Sequence, residues 1–226
     1  QKMNEKLEKA LTHLNTILPL KQSQDKCEPE VKELHQQMLR SFVAQGRILT
    51  KAEMAQWVSD VPEAIHVLSK HDMVTFAENG EPVGAYPFTM MEREHKVRVN
   101  GHQVHAMCAL DALAVGPMFE ETTQITSQCR VTGDPVEIQM AGETILNRAE
   151  VGDIHVGIAW GAAEAGSSCA DSLCLEMIFL RDAVTAQKWL ADDSEDREIF
   201  TLPEAVQFAS RFFVPLLPGE MREVNL

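Results

Sequence analysis

The stretch HKVRVNGHQVHAMCALDALAVGPMF, residues 95–119, contains the pattern on which the fold prediction depends. Residues 95–99 and 102–107 read as two short strands on either side of Asn100-Gly101, a dipeptide typical of a tight hairpin turn. From Cys108 onward the strand pattern gives way to apolar residues at helical spacing, which predicts a buried helix. The junction between strand and helix therefore falls at Cys108.

The C-terminal half continues with strands and then helices. A helix is predicted to begin at Thr185, and Thr201 and Glu204 have the spacing of a capping box that starts a final helix. Strands are predicted at residues 123–129, 136–140, 154–160 and 173–180, the last of which contains Cys174.

The N-terminal part is mainly helical and ends in a second hairpin. The predicted elements are a helix within 1–19, a polar linker at 21–30, a helix at 31–46, a helix capped by Thr50 and Glu53, a helix starting near Pro62, and a hairpin at 73–88. Three helices followed by a hairpin are typical of a winged-helix module.

The fold class is therefore predicted as α+β, with a winged-helix-like helical module before an antiparallel or mixed β-sheet core with flanking helices. We expect an N-terminal helix and linker at 1–30, the winged module at 31–90 and the catalytic core at 91–226. Nucleic-acid binding is not expected, because the candidate recognition helix carries Glu63 and Asp72 against Lys70 alone.

The composition of the chain also argues against nucleic-acid binding. The chain has 226 residues and a formal net charge of −14, which opposes binding to phosphate backbones. The sequence contains no apolar run long enough to span a membrane, and its charged N-terminus differs from a signal peptide. Its five cysteines form no CxxC pair, so we expect free thiols in a reducing cytoplasm.

Cys108 and Asp111 are the candidate reactive groups. Cys108 lies at a helix start, where free amides and the helix dipole favour a thiolate, and Asp111 shares its helix face. Cys174 offers a second thiol 66 positions later. Two thiols favour a soft metal. The alternative interpretation is that each of these cysteines only fills the core, as buried cysteine commonly does.

The other three cysteines are expected to have lesser roles. Cys129 precedes a turn and is interpreted as structural, and Cys27 lies in a polar segment and is interpreted as incidental. Cys169 lies in a loop rich in glycine, alanine and serine, which predicts a mobile segment that could come close to Cys174.

Three segments in this order, MCALDAL, TSQCRVTGDPVEI and DSLCLEMIFLRDAVTAQKWL, resemble the organomercurial (alkylmercury) lyases. The upstream segment GRILTKAEMAQWV is similar as well, and the likeness covers about residues 40 to 215. It implies that Cys108 and Cys174 are the paired thiols that bind mercury and that Asp111 is the carboxyl group that transfers the proton. Cys129 matches a family cysteine thought to be structural.

The resemblance also implies a reaction, protonolysis of the carbon–mercury bond, which gives a hydrocarbon and Hg(II) on two thiolates. It requires no organic cofactor, although external low-molecular-weight thiols are expected for turnover and a mercuric reductase is a candidate recipient of Hg(II). Two alternatives stay open, a soft-metal binding or delivery protein and a thiol-based winged-helix sensor. Asp111 argues against the first, because binding alone needs no proton donor.

The chain departs from the family pattern near both thiols. His105 and Met107 stand where family members carry aromatic residues, and Leu175 stands where some have a second cysteine. These changes remove no reacting group, and we expect them to affect substrate preference.

Overall fold

The computed structural model describes residues 2–218, with side chains from Glu5 to Pro218. Two antiparallel sheets and the helices around them form the molecule, which confirms the predicted α+β class. A continuous apolar core extends from Leu7 near the N-terminus to Leu217.

The N-terminal helices are α1 Lys2–Ile17, α2 Leu20–Lys26, α3 Pro29–Gln45, α4 Lys51–Met54 and α5 Val61–Lys70. The linker predicted at 21–30 is wrong, because α2 occupies most of it. Ser23 and Gln24 are buried on its inner face, where the Gln24 amide nitrogen lies 2.9 Å from Nδ1 of His35 and donates to the carbonyl of Leu216 at 3.1 Å. The other polar side chains lie at the surface, so a largely polar sequence forms a helix here because its inward amide finds partners inside the protein.

The hairpin after α5 consists of β1 Thr75–Phe76 and β2 Pro82–Ala85, so the predicted order of three helices and a hairpin is present. The hairpin is part of the main sheet, since β2 pairs with β3 Phe88–Thr89 and β3 pairs with the strand that ends before Cys108. The sheet is thus continuous across residue 90. The assignment as a winged-helix module and the three-part division of the chain stay predictions.

The central hairpin is confirmed as β4 His95–Val99 and β5 His102–Ala106, with positive φ at Asn100 and Gly101 in the turn. The main sheet has the order β1-β2-β3-β5-β4-β6-β7-β8. Its remaining strands are β6 Thr122–Gln128, β7 Pro135–Ala141 and β8 Thr144–Ile145.

Helix α6, Ala109–Phe119, is buried from Ala109 to Met118, as predicted for the segment after Cys108. It packs mainly against the last long helix, α9 Leu202–Phe213, and also contacts β4, β5 and β6. The capping box of Thr201 and Glu204 that begins α9 is present. A helix enclosed on all sides is expected to be apolar all round, and among the described residues of α6 Asp111 is the one exception.

A second sheet has the order β10-β9-β11, formed by β9 His155–Ala159, β10 Met177–Leu180 and β11 Arg197–Thr201. Strand β11 was not predicted. The short helix α7 Arg148–Val151 precedes this sheet. Helix α8 is Ala183–Asp192 with Asp182 as its N-cap residue, so it begins before the predicted start at Thr185. The two sheets meet at a parallel bridge between Cys129 and Phe179, where Arg130 N donates to the Phe179 carbonyl at 3.1 Å.

The prediction that Cys174 lies on a strand is wrong. Cys174 belongs to a 3-10 helix, Leu173–Glu176, and β10 starts after it. The reason is local hydrogen bonding: Cys174 N donates to the Cys169 carbonyl at 2.9 Å, and Leu175 N donates to the Ser172 carbonyl. These turn bonds replace a strand ladder at this point.

Within residues 2–218, no helix is both long and apolar enough to cross a membrane.

Gly116 provides a test of how tightly α6 is enclosed. A Cβ atom at this position would lie 2.7 Å from the Gly142 carbonyl oxygen, in the turn after β7. We expect Gly116→Ala to lower the free energy of unfolding by about 1–3 kcal/mol through overpacking, although alanine favours helices. Urea denaturation measures the change, with the exposed Lys188→Ala on α8 as a control expected within about 0.5 kcal/mol of wild type. A more stable Gly116→Ala variant would contradict this account.

Candidate metal-binding active site

The site begins at the N-terminus of α6. Cys108 is the N-cap residue in an extended conformation, and its Sγ accepts a hydrogen bond from the backbone N–H of Asp111 at 3.4 Å. A cysteine thus takes the place usually held by serine, threonine or aspartate, and its sulfur is fixed by the helix backbone. Both Cys108 and Asp111 are buried.

Asp111 is held against the same thiol. Cys108 Sγ–H donates to Asp111 Oδ1 across 3.2 Å. The other carboxyl oxygen, Oδ2, is buried and has no hydrogen-bond partner among the described residues. Leaving such an oxygen unpaired costs free energy, so a buried unpaired carboxyl oxygen indicates a site that uses it.

Cys174 joins this pair through the tertiary structure. Cys108, Asp111 and Cys174 each offer one ligand atom, and these three atoms lie within 4.8 Å of one another. This spacing makes them a candidate metal site. The 3-10 helix that carries Cys174 therefore brings it to the start of α6, as required by the predicted site. Cys169 lies beside it, with the two Sγ atoms 3.3 Å apart.

The expectation of a lowered Cys108 pKa is wrong. Burial raises the pKa of the Cys108 thiol to about 11, and this effect exceeds the hydrogen bonds from Cys174 and the Asp111 amide that stabilise the thiolate. The pKa of Cys174 is also raised, because its hydrogen bonds to Cys108 and Cys169 and its burial disfavour the anion. Both thiols are therefore protonated in the free protein at neutral pH.

Burial raises the pKa of Asp111 from 3.8 to about 7, while the hydrogen bond from Cys108 and the charge of Arg93 act in the opposite direction. A carboxyl group with this pKa exists in both protonation states near neutral pH. It can therefore take up a proton in one step and release it in another.

A network that was not foreseen from the sequence holds the segment next to Cys174. Tyr86 Oη donates to Asp72 Oδ1 at 2.8 Å and accepts from the Ala170 N–H at 2.9 Å. Asp72 Oδ2 accepts from the Cys169 N–H at 2.7 Å, and the Arg93 guanidinium donates to the Ala170 carbonyl at 3.1 Å. Tyr86 is the only tyrosine in the chain, and it is fully buried. A buried tyrosine hydroxyl needs a hydrogen-bond partner, and here Asp72 and Ala170 are its partners.

This network also alters the interpretation of the loop around Cys169. The composition suggested mobility, but Cys169 and Ala170 are buried and their backbone amides are bonded to Asp72 and Tyr86. The expectation that Cys169 lies near Cys174 is confirmed.

A solvent-open cavity of about 700 Å³ lies next to the site. Met107, which precedes Cys108, lines it, and so does Ala170, which follows Cys169. Val74, Phe76 and Met91 add apolar surface. The cavity thus reaches the chain on both sides of the thiols and is suited to a small, partly apolar ligand.

The remaining positions lie outside the group of Cys108, Asp111 and Cys174. Cys129 is buried at the bridge between the sheets, and its structural role stays a prediction. Cys27 ends α2 as its C-cap residue instead of lying in a linker, and its half-buried thiol donates to the Ser23 carbonyl at 3.3 Å. His105 Nδ1 lies 3.1 Å from Arg93 N, whereas the Leu175 side chain is exposed and away from the core.

Two buried thiols and one carboxyl group of shifted pKa, enclosed in an α+β fold, form a set of ligands that suits a soft metal. The model of the alkylmercury lyase family (MerB) matches residues 88–214. The chain belongs to the alkylmercury lyase family, and the predictions of the family and of a lyase enzyme are confirmed.

Similar proteins are found among curated sequences and solved structures. An alkylmercury lyase of Streptomyces lividans is 24% identical over 183 residues, which cover 80% of this chain and 83% of the relative. An alkylmercury lyase of Bacillus cereus is 27% identical over 170 residues, covering 75% and 76%. The crystal structure of the mercury-bound form of MerB2 has a similar fold, with a TM-score of 0.72 at 18% identity, and covers 91% of this chain and 100% of that one.

The raised pKa of Asp111 predicts a dependence of stability on pH. Between pH 3.8 and about 7 the unfolded chain loses this proton while the folded chain keeps it. The contribution of Asp111 to the free energy of unfolding therefore decreases as the pH rises through this window, on the order of 1 kcal/mol per pH unit.

The Asp111→Asn variant lacks this decrease. We expect its stability relative to wild type to rise from about pH 4 to about pH 7 and then to level off. Urea denaturation of both proteins at several pH values measures the difference. A constant difference across the window would show that Asp111 titrates normally in the folded protein.

Proposed function

We propose that this chain cleaves the carbon–mercury bond of organomercurials by protonolysis, releasing a hydrocarbon and leaving Hg(II) on the thiolates of Cys108 and Cys174. The observation that carries the proposal is the Asp111 carboxyl group, which accepts the Cys108 thiol hydrogen bond at 3.2 Å inside a group that also holds Cys174. The names of the relatives, all alkylmercury lyases, support the same reaction.

The first step is capture of the organomercurial R–Hg⁺ by Cys108. Its thiol donates to Asp111 Oδ1, so the ionised carboxylate can take the proton as sulfur binds mercury. Without that base, a thiol with a pKa of about 11 would seldom be available as the thiolate ligand. Asp111, with a pKa of about 7, is still ionised in part at neutral pH.

The second step is addition of Cys174, which binds mercury as a second thiolate while its own thiol proton is released to solvent, so that the positive charge of R–Hg⁺ is balanced. Electron density donated by two sulfurs weakens the bond to carbon. The carboxyl group, now protonated, delivers its proton to the leaving carbon, and R–H departs. The proton taken from the thiol in the first step is thus returned in the second, with Asp111 serving as base and then as acid.

The cavity beside Met107 and Ala170 is the proposed entry for the substrate. Its apolar side chains suit the organic group of R–Hg⁺, while the burial of Cys108, Asp111 and Cys174 limits the access of water to the reacting carbon. The differences at His105 and Met107 are expected to affect which organic groups are accepted.

The scheme uses no organic cofactor and no resident metal. External low-molecular-weight thiols would deliver the substrate and remove Hg(II), and a mercuric reductase is a candidate recipient. The five free cysteines suit a reducing cytoplasm. The net charge of −14 opposes a nucleic-acid partner.

Asp111→Asn separates a lyase from a protein that only binds metal. The amide keeps the size of the side chain and both thiols stay, so uptake of methylmercury should persist, while hydrocarbon release should fall by at least about 10²-fold. Headspace gas analysis and mercury stoichiometry on the same sample measure both. Asp60→Asn, the same change at the N-cap of α5, is the control and should leave both unchanged. Persistent cleavage would remove Asp111 from the mechanism, and wild-type uptake without hydrocarbon would favour the binding protein.

Cys108→Ser and Cys174→Ser test the two-thiolate scheme. Serine is a good N-cap residue, so Cys108→Ser should fold, but its hydroxyl is a poor ligand for mercury and cleavage should be abolished. Cys174→Ser should also lose cleavage while binding R–Hg⁺ through one thiolate. Cys27→Ser, which removes a thiol outside the site, should have wild-type activity. Substantial turnover by either site variant would exclude that thiol from the reaction.

A further inference from the structure

Cys174 has thiol neighbours on two sides. Its Sγ, the Sγ of Cys108 and a carboxyl oxygen of Asp111 lie within 4.8 Å of one another. It also lies 3.3 Å from Sγ of Cys169, a residue outside that group. Cys174 is therefore shared between two thiol pairs, one with Cys108 and one with Cys169.

The second pair is built into the chain. The Cys174 N–H donates to the Cys169 carbonyl at 2.9 Å, so one turn sets the relative position of the two residues. Asp72 Oδ2 accepts from the Cys169 N–H at 2.7 Å, and Tyr86 holds Asp72 in turn. Because the backbone of Cys169 is anchored to residues from other elements, its thiol is held beside Cys174 before any metal arrives.

The segment of Cys169 borders the solvent-open cavity. Ser168 and Ala170, its two neighbours in the chain, line this cavity, as does Met107 before Cys108. The exposed fraction is 3% for Cys169 and for Cys174 and 0% for Cys108. The pair of Cys169 and Cys174 therefore keeps a small exposure to solvent that Cys108 lacks.

We infer that Cys169 and Cys174 form an exit site, to which Hg(II) moves from the Cys108–Cys174 pair before an external thiol removes it. This inference rests on the proposed lyase function, which leaves Hg(II) on Cys108 and Cys174. Mercury readily exchanges thiolate ligands, and a third thiol 3.3 Å from one ligand is placed for such an exchange.

The exchange balances without an oxidant or a reductant. A sulfur–mercury bond forms to Cys169 as its thiol proton leaves, and the bond between mercury and Cys108 breaks. The proton ends on the Cys108 sulfur, directly or by way of Asp111. Mercury stays divalent with two thiolate ligands throughout, and the Cys108–Asp111 pair is restored for the next substrate.

The sulfur count of bound mercury tests the second pair directly. The probe is one equivalent of Hg(II) on reduced protein, and every variant also carries Cys27→Ser to remove that half-buried thiol. Cys108→Ser should hold Hg(II) with two sulfurs by X-ray absorption, and Cys108→Ser with Cys169→Ser should show one protein sulfur. Two sulfurs in both variants, or one in both, would overturn the inference.

The rate of exit is a second measurement. Protein preloaded with Hg(II) is mixed with an excess of a dithiol, and the mercury that stays with the protein is measured after rapid gel filtration at successive times. Cys169→Ser should slow this transfer by about tenfold or more relative to wild type, which corresponds to about 1.4 kcal/mol in the barrier. Cys27→Ser is the matched control and should transfer at the wild-type rate. Equal rates for wild type and Cys169→Ser would overturn the exit site.

The failure of the two proposals can be told apart. Hydrocarbon release from methylmercury by the wild-type protein reports on the lyase function, whereas both Hg(II) measurements use the inorganic ion alone. If the wild-type protein releases hydrocarbon but Cys169→Ser transfers Hg(II) at the wild-type rate, the lyase function is supported and the exit site is excluded.

Discussion

The hydrogen bond between the Cys108 thiol and the Asp111 carboxyl group, closed off from water at the start of α6, is the constraint on which the site depends. Desolvation raises the pKa of the carboxyl group to about 7 and that of the thiol to about 11. An exposed pair would have ordinary pKa values, and the carboxyl group would then lose its capacity to be both base and acid near neutral pH. The other residues of α6 are apolar or glycine, which provides the enclosure of this pair.

The position of Cys174 depends on the way the two sheets meet. The bridge between Cys129 and Phe179 fixes β10, and the 3-10 helix that carries Cys174 leads directly into that strand. Tyr86 and Asp72 hold the preceding segment from the other side. Residues from distant parts of the chain thus set the distance between two thiols that are 66 positions apart. A structural role for Cys129 is consistent with its place at this junction.

The elements predicted correctly are those whose signals are local. The Asn100-Gly101 turn, the buried helix after Cys108 and the capping box at Thr201 each depend on neighbouring residues, and all are present. The predictions that were wrong concern segments whose conformation depends on distant partners. Polar residues at 21–26 form a helix whose inner face is buried, because Leu216 and His35 provide partners for the Gln24 amide nitrogen. Cys174 leaves the predicted strand because the carbonyl of Cys169 binds its amide.

The sequence by itself determined the α+β class, the family, and the three residues Cys108, Asp111 and Cys174 as candidates, because residue type and spacing along the chain carry that information. Only the tertiary structure decided their electrostatics. The helix dipole favours a thiolate at Cys108, but desolvation by the surrounding core is the larger effect and leaves the thiol protonated. The tertiary structure also decided that Cys174 is shared between Cys108 and Cys169. The burial of the sulfurs and the distances between them depend on packing, which no local pattern of residues specifies.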